Sequence, residues 1–290
     1  MYGRWLKGVA VSISFAACAL LAAADERQHP PTAQKDGSPS DEVALPACQL
    51  PPRGIFIAHG GGSFTGPEID ILLREGGDEL IYIPSDANPL TDENRKAIVA
   101  RWQGRGFCSV TFLHADSHEQ AMDPNFSLPL LTARAVFISG GKQDALRRYT
   151  GSPVVSRLRG VLERNGVILG TSAGMAMIGT RAVITTEEQP DGSLHIIEDD
   201  GWNFCPLVSD QHFLQKNRGW RLDRMCEIYP TLPGLGVDEK TACVIRFKDR
   251  GPELSVVGDS EVHLYSRRSE KPEVIRMKSG DEGITLAFED

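Results

Sequence analysis

Ser172 lies in the run Gly170-Thr171-Ser172-Ala173-Gly174, after the apolar Gly166-Val167-Ile168-Leu169 and before the small-residue segment Ala173-Gly174-Met175-Ala176-Met177. A serine held between small residues at a strand-to-helix turn is how several hydrolase folds present a nucleophile. Glycines on either side let neighbouring backbone come close, and the opening helix leaves N–H groups without intrahelical acceptors beside the attacked carbonyl. A serine before a helix also serves as a plain N-cap, so the pentapeptide gains meaning only from the groups that would activate it.

Downstream of Ser172 the histidines are His195, His212 and His263. His212, in Ser209-Asp210-Gln211-His212-Phe213, follows the strand-like Pro206-Leu207-Val208. That places it at the sheet edge where open α/β folds build their sites, positioned to take the serine proton as general base. The segment Gly234-Leu235-Gly236-Val237-Asp238-Glu239-Lys240-Thr241-Ala242 ends another apolar run with two carboxylates. Glu239 is the expected acid that orients the imidazole and Asp238 the second choice; Glu187 and Glu188 are a rival pair, because triads are defined by geometry and not by spacing. The oxyanion donors expected are the amides of Ala173 and of Gly141, the latter in Ser139-Gly140-Gly141-Lys142-Gln143 after the apolar Ala135–Ile138.

Directly after the histidine, the run from Gln215 to Arg224 carries Lys216, Arg218, Arg221 and Arg224. On an acidic chain such a cluster suits carboxylate recognition, the alternative being the solvated face of a helix. His114 and His118 stand four apart with Asp116 between them and read as a solvated pair. With no zinc-type cysteine spacing, neither a metal nor a cofactor is expected.

The elements that must position these groups alternate. Apolar runs at Gly54–Ala58, Glu79–Pro84, Phe107–Leu113, Ala135–Ser139 and Val167–Gly170 read as strands, with amphipathic helices over Pro67–Arg74, Thr91–Gln103 and Pro153–Asn165. Two-sided apolar strands alternating with helices imply a parallel sheet covered on both faces. After Ser172 shorter strands follow at Ala182–Thr185, Leu207–Ser209, Ala242–Phe247, Leu254–Val257, Val262–Ser266 and Glu273–Met277, which predicts antiparallel additions toward the C-terminus. The fold class is therefore a three-layer α/β sandwich around a mostly parallel central sheet.

A chain of 290 residues with formal charge −8 is long enough for one large α/β domain, expected over residues 51–290, and its charge argues against nucleic acid as a partner. At the N-terminus Arg4 and Lys7 precede an apolar run from Gly8 to Ala24 that ends Ala22-Ala23-Ala24. This is the layout of a secretory signal peptide over residues 1–24, and it implies a periplasmic or extracellular protein with no membrane insertion after cleavage. Two lesser readings are an uncleaved anchor and a lipoprotein site at Cys18. Residues 25–50, rich in Pro, Asp, Ser, Gln and Lys, read as a disordered linker. Cleavage leaves Cys48, Cys108, Cys205, Cys226 and Cys243, an odd number, with Cys205 and Cys226 the first pair to test for a disulfide.

The cluster His59-Gly60-Gly61-Gly62 resembles the oxyanion loop of the lipase and esterase branch of the α/β-hydrolases. That fold places the acid before a late histidine, whereas here His212 follows the serine by 40 positions and the preferred acid comes after it. Taken together, Gly170–Gly174, Gly140–Gln143, Asp210–Phe213 with its basic tail and Gly236–Ala242 resemble cyanophycinase and the related serine exopeptidases of peptidase family S51, over about residues 53 to 266. The resemblance implies a fold like that of class I glutamine amidotransferases, a homodimer, and Ser172, His212 and Glu239 as nucleophile, base and acid. It implies a substrate pocket at Gln143, Asp210, Gln211, Lys216, Arg218 and Arg221, and an aspartate-rich peptide as substrate. Cyanophycinases cleave a poly-aspartate chain bearing arginine on its side chains, releasing β-aspartyl-arginine. Lys142 stands where these enzymes usually have aspartate and Lys216 where arginine is usual, which leaves α-aspartyl or isoaspartyl dipeptides as alternative substrates. A non-catalytic aspartyl-peptide binding protein is the reading from another class.

Overall fold

Ile55, Ile57, Val167 and Leu169 enter one apolar cluster, while their chain neighbours Phe56, Ala58 and Ile168 enter another. Side chains alternate across a strand, so a strand whose alternate residues fill two cores is buried on both faces, as a parallel sheet between helical layers must be. The computed structural model describes residues 50–86, 89–249, 251–266 and 273–286. The expected leader, and the expected linker apart from Leu50, lie outside these residues.

The chain runs β1 (Ile55–His59), α1 (Pro67–Gly76), β2 (Glu79–Ile83), α2 (Asp92–Gln103), β3 (Ser109–Phe112), α3 (His118–Met122), β4 (Ala135–Ile138), α4 (Gln143–Leu146), α5 (Pro153–Glu163), β5 (Val167–Thr171) and α6 (Ala173–Ala176). It continues through β6 (Arg181–Glu188), β7 (Leu194–Asp200), β8 (Val208–Gln211), α7 (Gly219–Ile228), β9 (Gly234–Val237), β10 (Thr241–Arg246), β11 (Glu253–Gly258), β12 (Glu261–Ser266), β13 (Glu273–Lys278) and β14 (Glu282–Thr285).

These strands form two sheets. The larger has the order β14-β11-β10-β1-β5-β4-β2-β3, parallel from β1 to β3 and antiparallel from β1 outward through β10, β11 and β14. The smaller, β13-β12-β9-β8-β6-β7, is parallel only at β9-β8-β6. The antiparallel additions match the sequence reading, and the division of the late strands between the large sheet and a second one is new. One core cluster joins the two sheets, since Phe56, Ile138 and Ile168 share it with Leu235, Val237, Val262 and Leu264. Helix α7 packs Leu222 and Met225 against Val183 and Val208 of the smaller sheet.

Local signals explain the helix limits. Thr91 and Ser152 cap α2 and α5 through their hydroxyls, which accept the N–H of Asn94 and Val154. Helix α5 stops at Glu163 because Asn165 adopts φ 66°, the left-handed turn that ends many helices. Helix α2 fully buries only Trp102, a narrower apolar face than its sequence suggested. Cys108, Cys205, Cys226 and Cys243 carry thiols and not disulfides. Among the described residues no helix is long and apolar enough to cross a membrane.

Candidate active site

The elbow after β5 is built by close approach. A Cβ on Gly170 would lie 2.6 Å from the Gly174 carbonyl oxygen, and one on Gly174 would lie 2.5 Å from that of Ile138, so β5, α6 and β4 meet only because both positions lack side chains. Ser172 between them has φ 49° and ψ −110°. Holding a non-glycine residue there costs about 1–3 kcal/mol, strain of the kind that collects at functional sites.

Three successive carbonyls of the loop after β1 fix the elements around this serine. His59 O accepts the Ser172 N–H at 2.9 Å, Gly60 O accepts the His212 N–H at 2.8 Å, and Gly61 O accepts the Lys240 N–H at 2.8 Å. Ser172 leaves the large sheet, His212 follows β8 of the small one, and Glu239 stands on the β9–β10 turn that passes between them. The glycine run that suggested an oxyanion loop is thus the ruler that sets their spacing.

The side chains meet accordingly. Ser172 Oγ is 2.8 Å from His212 Nε2, and His212 Nδ1 is 2.6 Å from Glu239 Oε1. With Nδ1–H donated to the carboxylate, Nε2 carries a lone pair directed at the serine hydroxyl and able to accept its proton. Burial lowers the His212 pKa below its ordinary 6.5, assisted by the charges of Lys216 and Arg218 and opposed by Glu239. The imidazole is therefore neutral at pH 7 and able to act as a base.

The other acids have different tasks. Asp238 is fully buried and accepts from the Leu214 N–H at 3.0 Å, the Ser260 hydroxyl at 2.7 Å and the Glu261 N–H at 3.2 Å. Burial alone would raise its pKa, but neighbouring His263 and these donors outweigh it and hold the carboxyl below the usual range. Glu187 and Glu188 are exposed on the β6–β7 hairpin. Behind the serine, His59 Nδ1 is 2.8 Å from the Thr171 hydroxyl, and burial lowers the His59 pKa to about 4.

On the opposite side, the loop Ser139–Lys142 is tied to Ser85, whose N–H reaches Ser139 Oγ at 2.9 Å and whose carbonyl accepts the Lys142 N–H at 3.1 Å. This brings Gly140 against the serine, since a Cβ there would be 3.2 Å from Ser172 Cβ. Gly141 follows in the same loop, and Ala173 opens α6.

The basic segment is drawn partly inward. Asp210 and Arg221 are both buried and pair in two places, with Arg221 Nε 2.6 Å from Asp210 Oδ2. Arg218 Nη1 is 2.7 Å from Gln211 O and 3.2 Å from Asp210 Oδ1. Gln143 Nε2 donates to Val183 O at 2.8 Å, while Lys216 is exposed. Gln211 is buried beside His212, and its Oε1 has no hydrogen-bond partner. Of the six expected pocket residues, Asp210 is thus paired with Arg221 and more loosely with Arg218, while Gln211, Lys216 and Arg218 lie next to the histidine.

Residues 59–250 match peptidase family S51. The chain is similar to the cyanophycinases of Synechococcus elongatus and Thermosynechococcus vestitus, each 31% identical over 226 residues that span 74% of this chain and 69% of the relative. It is 30% identical to the cyanophycinase of Geminocystis herdmanii over 223 residues, 73% of this chain and 80% of the relative. Its fold resembles that of a peptidase from an acI-B1 Actinobacterium, with a TM-score of 0.60 at 19% identity over 82% of this chain and 99% of the other.

Proposed function

The chain belongs to peptidase family S51 and is a serine-type peptidase, and from that premise we propose that it hydrolyses aspartyl or β-aspartyl peptide bonds through an acyl-enzyme on Ser172. The observation that carries the reading is the unbroken line from Ser172 Oγ through the His212 imidazole to Glu239, at 2.8 and 2.6 Å, set on a strained elbow.

His212 Nε2 takes the hydroxyl proton as Ser172 Oγ bonds to the peptide carbonyl carbon. The resulting oxyanion is held by the N–H groups of Gly141 and Ala173. As the C–N bond breaks, the imidazolium returns its proton to the leaving amine. Water then adds to the acyl carbon, giving a proton to His212, and the second tetrahedral species expels Ser172 Oγ, which recovers that proton. Glu239 keeps Nδ1–H in place and stabilises the transient imidazolium.

The substrate proposed first is the one named by the relatives, cyanophycin, with release of β-aspartyl-arginine. Lys216 and Arg218 supply positive charge for aspartyl carboxylates, and the Gln211 side chain offers an unanswered acceptor beside the base. A lysine cannot give the bidentate grip of an arginine, so short α- or β-aspartyl peptides are the second substrate class. The positively charged start and apolar run of residues 1–24 support export, which the N-terminal sequence of the mature protein would test.

The deciding experiment offers purified protein cyanophycin, β-aspartyl dipeptides and α-aspartyl dipeptides, with products read by mass. Turnover that vanishes in Ser172→Ala, and a phosphonate adduct on Ser172, are expected. Retention of most activity by Ser172→Ala would overturn the mechanism; absence of both adduct and turnover would leave a binding protein.

A further inference from the structure

A second group of cations borders the elbow from the other face of the sheet. A cavity of about 440 Å³ opens where β1, β2, β4 and β5 end, lined by Gly62 and Phe64 of the loop after β1, by Tyr82, Phe137 and Thr171 from the strands, and by Gly140. Arg101 and Trp102 of α2 and Arg105 just beyond it close the far side. Gly140 and Thr171 are shared walls, one packed on Ser172 and the other preceding it in the chain.

Arg105 is held in a particular attitude. Its guanidinium carbon lies 5.0 Å from the Phe64 ring centre and 5.1 Å from that of Trp102, whose centres are 6.3 Å apart, so it rests in the corner these two rings make. Its Nη1 is buried and has no hydrogen-bond partner. Burial and the neighbouring charge of Arg101 both lower its pKa, with only Glu68 acting the other way. Glu68 is already engaged: its carboxylate accepts the Thr65 N–H at 2.6 Å and the Thr65 hydroxyl at 3.0 Å. Among the described residues neither Arg101 nor Arg105 has a carboxylate within ion-pair distance.

Two adjacent guanidiniums, one with a buried unanswered donor, are costly for a protein to keep unless something of opposite charge arrives. A planar guanidinium held against aromatic rings keeps N–H groups for a carboxylate, which it can grip in the bidentate geometry that pair prefers. We infer that this cavity is a carboxylate subsite, in which Arg105, backed by Arg101, holds an acidic group of the peptide whose carbonyl is presented to Ser172. This deepens the peptidase reading and rests on Ser172 being the attacking group. It adds a cationic contact at the C-terminal end of α2, apart from the segment that follows His212.

The probes are acetyl-aspartyl amide and acetyl-asparaginyl amide, which differ by one carboxylate, titrated calorimetrically into Ser172→Ala so that no turnover intervenes. The aspartyl probe is expected to bind at least about tenfold more tightly, the worth of one charge-assisted hydrogen bond. Adding Arg105→Gln should erase that preference, and adding Arg105→Lys should restore part of it. Arg101 is exposed, so Arg101→Gln supplies a variant that leaves the core intact and should reduce the preference in the same direction. Equal binding of the two probes, or a preference that survives both glutamine variants, would overturn the subsite. Phosphonate labelling of the unmodified protein is the separate check on Ser172: failure there removes the mechanism, while the two titrations still decide whether the cavity binds a carboxylate.

Discussion

Gly61 lies against the ring of His212, so close that a Cβ on the glycine would sit 2.3 Å from the imidazole Cε1. Gly61 also has φ 108°, which side chains rarely adopt. A methyl group here has no free space and must push the imidazole away from Ser172. Gly61→Ala should therefore lower kcat by about a hundredfold, the usual penalty for a displacement near 1 Å. Single-turnover kinetics would show whether the loss falls on acylation, as expected, or on substrate binding.

As the proposed base, His212 should also set the acid limit of activity. A base with a lowered pKa stays unprotonated further into the acid range, so the acid limb of kcat/KM should lie below pH 6.5. Lys216 is one of the charges that lowers it. Replacing it by methionine should move the limb toward higher pH, whatever happens to substrate affinity, and a pH profile of the two proteins reads the difference.

Stability should fall in the same acid range through His59. Its folded-state pKa of about 4 lies below the ordinary 6.5, so the unfolded chain binds the proton first as pH drops. The contribution is complete above pH 6.5 and is lost progressively toward pH 4, to an extent on the order of 3 kcal/mol. Denaturant titrations at pH 7 and pH 4.5 should show a steeper loss for the unmodified protein than for His59→Gln.

Arg221 separates a recognition role from a structural one. Because Asp210 is fully buried and paired at both oxygens with Arg221, Arg221→Met should leave that carboxylate with only the single, longer contact from Arg218 and cost about 3 kcal/mol of folding stability. Chemical denaturation measures this directly. A variant of native stability with a raised KM would instead place the guanidinium on the substrate.

The neighbouring acids Asp238 and Glu239 should fail differently. Glu239→Gln is expected to reduce kcat by about 10³–10⁴ with little change in melting temperature, because it removes the charge that orients His212. Asp238→Asn removes a charged acceptor shared by Leu214, Ser260 and Glu261, and should cost about 1–3 kcal/mol of stability. Paired kinetic and thermal measurements distinguish the two.

Much of this was legible in the chain because it is local. The strands from Ile55 to Thr171 announce themselves as apolar runs, and Gly170–Gly174 carries its own turn chemistry. The two carboxylates that end the run from Gly234 are equally visible in the chain, but only the fold shows Glu239 at 2.6 Å from His212 and Asp238 turned toward Leu214, Ser260 and Glu261. What the sequence withheld depends on distant partners. Arg221 reads as a free cation until the fold brings it against Asp210, and the hairpin of β6 and β7 is so polar on its outer half that β7 gives no strand signal. Arg105 is hidden for the same reason, since only the fold brings Phe64 and Trp102 against it.

The acid on the β9–β10 turn joins a strand of one sheet to a strand of the other, and β12 lies beside β9. A chain emerging from the ribosome therefore carries Ser172 well before it carries His212 or the Glu239 carboxylate behind it. The line from Ser172 through His212 to Glu239 is assembled only by the completion of folding, once the last third of the sequence has docked.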